Sequence, residues 1–144
     1  MNSASPPTSG HQFKMQHSFA KRQHESSRLK EKHSDKIPII LEKASDTQLP
    51  SIDKQKFLMQ KNITIAQFLH IIRSKIKLDA SQSLFLFVNN SFIPTPSMTI
   101  GDVFDNHGDK DGFLYVTYNA QQTFGLYLIY YFNISNYYIS LFHI

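Results

Sequence analysis

The segment Thr64-Ile-Ala-Gln-Phe-Leu-His-Ile-Ile-Arg-Ser-Lys-Ile-Lys77 constrains the fold more than any other part of this chain. Thr64 and Gln67 stand as a capping box. The Thr hydroxyl takes an N–H of the first turn, and the Gln side chain reaches back to the cap. Ile65, Phe68, Leu69, Ile72 and Ile76 follow at i, i+3, i+4 and i+7 spacing, which gathers apolar side chains on one helical face. A helix with one apolar face has to bury it against another layer.

Short strand patterns surround this helix. In Ile37-Pro-Ile-Ile-Leu-Glu-Lys43, Ile37, Ile39 and Leu41 share one face, while Pro38, Ile40 and Glu42 share the other. Pro38 has no N–H for a ladder, so this strand is expected at a sheet edge. Lys56–Gln60 is a second strand. Leu84–Val88 is a third, closed by the turn-forming pair Asn89-Asn90, and Phe113–Tyr118 is the last. A loop spans 44–54, and Pro94, Pro96 and Met98–Asn106 read as a loop with a short helix. Strand, strand, helix, strand, short helix, strand is the order of an α+β fold of the β-grasp, or ubiquitin-like, type. Residues 1–10 are Ser/Pro-rich and read as disordered. Residues 11–36 read as one or two short basic helices with a thin apolar stripe (Phe13, Phe19, Leu29) that pack on the grasp.

Composition narrows the function. At 144 residues the chain holds one domain plus tails. It has no Cys, which excludes disulfides, cysteine metal sites and a cysteine nucleophile. The net charge of +4 resides wholly in residues 11–36, which carry seven Lys/Arg and three acids. Such a segment suits acidic peptides or anionic membrane surfaces, or is simply a solvated helix face. No interleaved Arg/aromatic pattern points to nucleic acid. His17, His24 and His33 have no carboxylate cluster beside them to make a metal site. No cofactor motif and no catalytic constellation is present, so the chain reads as a non-enzyme.

Several blocks together resemble a known family. Ile37-Pro-Ile-Ile-Leu-Glu-Lys43, Ile52-Asp-Lys-Gln-Lys-Phe-Leu58, Gln67-Phe68 with Ile72-Arg73, Phe87-Val-Asn-Asn90, Asp111-Gly-Phe-Leu-Tyr-Val-Thr-Tyr118 and Thr123-Phe-Gly125 look like the GABARAP and LC-three type autophagy modifiers, in collinear order over residues 11–125. The resemblance implies two additional N-terminal helices on the β-grasp domain of residues 37–125. It also implies a life cycle. A processing cysteine protease cuts after Gly125, reading Phe124 before it. Ubiquitin-like activating and conjugating enzymes then join Gly125 to phosphatidylethanolamine, which places a cytoplasmic protein on the autophagosome membrane. A glycine carboxylate without a Cβ suits passage through narrow sites and between thiols.

The resemblance also implies that autophagy receptors with an aromatic-x-x-aliphatic motif add a strand to a sheet edge. The aromatic's pocket would comprise Glu25, Leu29, Pro38, Ile40, Lys56, Leu58 and Phe113. The aliphatic's pocket would comprise Phe57, Met59, Ile63, Phe68 and Ile71. Lys54 and Lys56 would meet flanking acids. Read from composition alone, Ile40, Leu58, Phe68 and Ile71 are core residues. Against that, Ile40 and Phe113 lie on the strand faces opposite the other apolar residues, a face expected to be exposed and to call for a partner. The sequence departs from the family at His33-Ser-Asp-Lys36, at Gln60 and at Arg73-Ser-Lys75.

Residues 126–144 contain no Lys, Arg, Asp or Glu. Three readings stand: a propeptide that is removed, a weak tail anchor interrupted by Asn133, Ser135, Asn136 and Ser140, or translated AT-rich non-coding sequence. The alternatives to lipid conjugation are a β-grasp binding module that is never conjugated, held non-covalently or by its tail, and a modifier attached to protein.

Overall fold

A computed structural model describes residues 11–45, 47–79 and 81–120. The expectations placed on residues 1–10, Phe124, Gly125 and 126–144 lie outside them. The order is α1 (Gln12–Gln16), α2 (Phe19–Lys32), β1 (Lys36–Lys43), β2 (Lys56–Gln60), α3 (Ile65–Ile76), β3 (Leu84–Val88), α4 (Ile100–His107) and β4 (Leu114–Ala120). The strands form one mixed sheet in the order β2-β1-β4-β3. β1 and β4 are parallel, and β2 and β3 are antiparallel to their neighbours. This is the β-grasp with two helices added before it.

α3 begins as its sequence dictates. Thr64 Oγ1 accepts from Gln67 N–H, and Gln67 Oε1 accepts from Thr64 N–H. The helix closes at Lys77 in the left-handed conformation, φ 51°. Ile65, Phe68, Ile72 and Ile76 are buried against Ile37, Ile39, Leu41, Leu114 and Val116, the inner face of the sheet. Ile100 and Val103 of α4 complete that core. Asn89 and Asn90 both take positive φ (52° and 57°), as a tight turn after β3 requires.

One expectation is overturned. β1 is an interior strand with β2 on one side and β4 on the other, so Pro38 does not mark an edge. Leu41 N–H donates to Gln55 O, which sets the phase of the antiparallel ladder. Residues 37, 39 and 41 therefore direct their N–H groups at β2, and Pro38 would direct one at β4. The ladder to β4 begins only at Ile39–Leu114, one residue later. Pro38 is tolerated because it precedes the pairing its missing N–H would have served.

The outer face is also unlike the expectation. Ile40, Phe113 and Tyr115 are fully buried beneath Phe13 of α1, with Leu29 of α2 packed against them. Two buried acids clamp the helices there. Asp111 accepts from Arg22 Nε (2.8 Å), Tyr115 OH (2.5 Å) and Phe113 N–H (2.9 Å). Glu42 accepts from His11 Nδ1 (3.1 Å), Gln12 N–H (3.1 Å), Phe13 N–H (2.7 Å) and Gln55 Nε2 (3.0 Å). A short α1 with no acidic residue in its first turn thus borrows its N-terminal carboxylate from β1. Gly112 packs its Cα against Ser26 at φ +95°, where a Cβ would collide with the Ser26 hydroxyl.

Burial alone would raise the Glu42 carboxyl, but the His11 ring and the N–H groups of Phe13 and Gln12 hold it below its ordinary value of 4.5. Asp109 is likewise lowered: burial opposes ionisation, and the ion pair with Lys14 outweighs it. A folded-state value below the unfolded one adds stability above the unfolded value, and that stability is lost as pH falls through the folded value. The urea midpoint should therefore drop between about pH 5 and about pH 3, and Glu42→Gln should flatten that part of the profile while costing about 1–3 kcal/mol at neutral pH. Gly112→Ala should cost about 1–3 kcal/mol by the same measurement.

Candidate functional site

The free edge of the sheet beside the N-terminal helices is β2. Because residues 57 and 59 spend their backbone groups on β1, Lys56, Leu58 and Gln60 direct theirs outward. An unpaired row of N–H and C=O groups is a template for another extended chain. Among the described residues, no strand covers it.

The two faces of β2 meet different surroundings. On the outer face Leu58 lies opposite Pro38 and Lys56 opposite Ile40. Lys56 Nζ reaches Glu25 on α2 at 2.5 Å, so an ion pair bridges the cleft between α2 and the strand. Leu29 lies on the same helix against Ile40, Phe113, Phe13 and Tyr115. The fold therefore brings Glu25, Leu29, Pro38, Ile40, Lys56, Leu58 and Phe113 to one place. Their roles divide by exposure. Ile40 and Phe113 are wholly buried and form only the floor, whereas Leu58 is half-buried and Lys56 is exposed. Ile40 and Phe113 are not an open strip: α1 and α2 cover that face.

On the inner face Phe57 and Phe68 are core residues, their rings edge to face at 6.0 Å. Met59 and Ile63 are half-buried against them, and Ile71 is half-buried one helical turn beyond Phe68. Lys54 Nζ and Lys75 Nζ stand 5.8 and 5.9 Å from the Phe57 ring. Phe57, Met59, Ile63 and Phe68 thus belong to one apolar cluster that joins β2 and α3, and Ile71 follows Phe68 on the same helix. Lys54 is exposed at the loop end of β2.

Sequence reasoning missed the parts played by Phe13 and Tyr115 beneath the outer cleft, and by Lys75 beside the inner one. Phe13 is legible with Phe19 and Leu29 as part of an apolar stripe in a polar stretch, but Tyr115 reads as an ordinary strand residue. Its hydroxyl hydrogen-bonds Asp111, and burial together with that acid raises its pKa. No group of His, Asp and Glu suited to a metal occurs among the described residues.

A β-grasp with two helices docked on the back of its sheet and β2 as the open edge beside them has the architecture of a ubiquitin-like protein with an N-terminal helical extension. The comparisons narrow the class. The family model described as "Autophagy protein Atg8 ubiquitin like" matches residues 21–125. Autophagy-related protein 8c of Arabidopsis thaliana is 45% identical over 114 residues, 79% of this chain and 95% of the relative. Autophagy-related protein 8 of Mycosarcoma maydis is 42% identical over 113 residues, 78% of this chain and 95% of the relative. The crystal structure of Trypanosoma brucei ATG8 superimposes with a TM-score of 0.74 at 33% identity, covering 80% of this chain and 98% of that one. The chain belongs to the Atg8 family of ubiquitin-like autophagy proteins.

The burial pattern separates floor from rim by experiment. Ile40→Glu would place an unpaired charge under Phe13 and should cost more than about 3 kcal/mol. Leu58→Glu, at a half-exposed rim, should cost about 1 kcal/mol or less in urea unfolding.

Proposed function

We propose that this protein is a ubiquitin-like modifier that is cleaved after Gly125, conjugated through Gly125 to phosphatidylethanolamine on autophagosomal membranes, and used there to recruit receptors. The observation that carries the reading is the family match, which spans the grasp and ends at Gly125, five residues beyond the end of β4. A glycine so close behind a terminal strand suits a tail that enters a protease or conjugating enzyme. The chain has no cysteine, so the thiols that carry the glycyl group belong to the activating and conjugating enzymes. The amine of the lipid would displace the thiol and form an amide with Gly125.

Receptor recruitment would use the outward backbone of β2. A peptide strand pairing with Lys56, Leu58 and Gln60 would set an aromatic side chain over the floor of Ile40 and Phe113, within reach of Glu25, Leu29, Pro38, Lys56 and Leu58. Its aliphatic side chain would meet Met59, Ile63 and Ile71 above Phe57 and Phe68. Entry of the aromatic would displace the Lys56–Glu25 ion pair. That is a small cost, since partly exposed pairs contribute about 1 kcal/mol or less.

Incubation of the full chain with the family's processing protease should yield a product whose intact mass ends at Gly125, and Gly125→Ala should block transfer to phosphatidylethanolamine vesicles. A product ending elsewhere, or a protein amine found as the acceptor, would overturn the lipid reading. An aromatic-x-x-Leu peptide should bind with calorimetric heat that Leu58→Glu weakens by at least about tenfold, a loss of about 1.4 kcal/mol. Unchanged affinity would remove the groove.

A further inference from the structure

The two pockets proposed beside β2 lie on opposite faces of that strand. The outer one is at Lys56 and Leu58, opposite Ile40 and Pro38, and the inner one is against the cluster of Phe57, Met59, Ile63 and Phe68. Side chains alternate along an extended chain, so residues three apart point to opposite faces. One strand laid against β2 therefore serves both pockets with an aromatic at one position and an aliphatic three residues later. Residues 126–144 offer that spacing twice, in Tyr131-Phe-Asn-Ile134 and in Tyr138-Ile-Ser-Leu141. Neither motif contains a charged side chain, so docking it desolvates no ammonium or carboxylate.

The sheet topology gives the chain beyond β4 a direction and a reach. β4 is parallel to β1 and leaves the sheet beside Lys43. β2 is antiparallel to β1 and begins at Lys56 opposite Ile40, so its first residue lies toward that same end. A segment arriving from β4 meets Lys56 and Leu58 before Met59 and Ile63. That is the order in which Tyr131 and Ile134 stand in the chain. Tyr115 is level with Ile40 and Lys56, and Ala120 at the end of β4 lies five residue steps further on. The offset from Ala120 to a strand beside Lys56 is about 17 Å along the strands and about 14 Å across three strand spacings, or about 22 Å in a straight line. The roughly ten residues between Ala120 and Tyr131 reach about 33 Å when extended. The nearer motif can therefore arrive at the edge of β2 in its own molecule.

We infer that in the uncut chain the segment Tyr131–Ile134 occupies the edge of β2, with Tyr131 over Ile40 and Phe113 and Ile134 beside Met59 and Ile63, and that it keeps receptors out until cleavage after Gly125 releases it. The inference rests on the groove reading. A segment tethered this closely is held at a local concentration on the order of 1 mM, so an intrinsic Kd of about 0.1 mM keeps the groove about nine-tenths filled. A free peptide then loses about tenfold in apparent affinity. One cut thus frees the glycine carboxylate and opens the groove together.

Calorimetry with one aromatic-x-x-Leu peptide tests it on the full chain and on the product that ends at Gly125. The product should bind about tenfold tighter. The full chain carrying Tyr131→Ala with Ile134→Ala, which needs no cleavage, should bind as tightly as the product. Tyr138→Ala with Leu141→Ala should leave the weakening in place. The Leu58 amide should exchange with deuterium about tenfold more slowly in the full chain than in the product. Equal affinities for the full chain and the doubly substituted Tyr131 and Ile134 chain would overturn the inference, as would relief by the second pair of substitutions instead of the first. A weakening that grows with protein concentration would put the segment on a second copy and overturn the arrangement within one molecule. If no form binds the peptide, the doubly substituted chains included, the groove reading itself falls and the inference with it.

Discussion

Two buried carboxylates hold the molecule together in the form its site requires. Asp111 and Glu42 both sit beneath the N-terminal helices, and each is met by a cation or an imidazole together with backbone N–H groups. A buried charge with incomplete partners is costly, and losing one member of such a pair typically costs about 3–5 kcal/mol. The helices therefore cannot drift from the sheet without stranding these charges. Geometry matters as much as energy here. Arg22 also donates to the carbonyls of Lys14 and His17, so one guanidinium ties the turn between the two helices to Asp111.

The groove follows from that clamp. Without α1 and α2, Ile40, Phe113 and Tyr115 would be an exposed apolar sheet face. With them in place, the same residues become the floor of a cleft whose walls are α2 and the edge strand. The inner site needs no clamp, because Phe57 and Phe68 belong to the main core and Ile71 projects from a helix the core already holds. One site thus depends on docked helices and the other on the grasp itself. The parallel pairing of β1 and β4 adds direction to the molecule. β4 therefore leaves the sheet beside Lys43, at the end of β1 away from Lys36.

Local structure was legible wherever a residue's role depends on its neighbours in sequence. The capping box of Thr64 and Gln67, the apolar face of α3, the Asn89-Asn90 turn and the bounds of β2 and β3 all appear as the pattern implies. Pro38 misled because a proline states only that one N–H is missing. Whether that absence matters depends on where the neighbouring ladder begins. Ile40 and Phe113 misled for a related reason. Alternation correctly placed them on the outer face, but it carries no information about what packs on that face. The residues assigned to each candidate site came from family resemblance alone, since no spacing rule links Glu25 to Lys56 or Leu29 to Phe113.

The sequence by itself determined the element order, the two faces of each strand and the absence of any thiol. These are properties of composition and of periods of two and of 3.6 residues, which local geometry enforces. Only the tertiary structure decided which strands are the edges, and that Ile40 and Phe113 are buried under the N-terminal helices while Leu58 stays half-buried. Those outcomes turn on contacts between segments tens of residues apart.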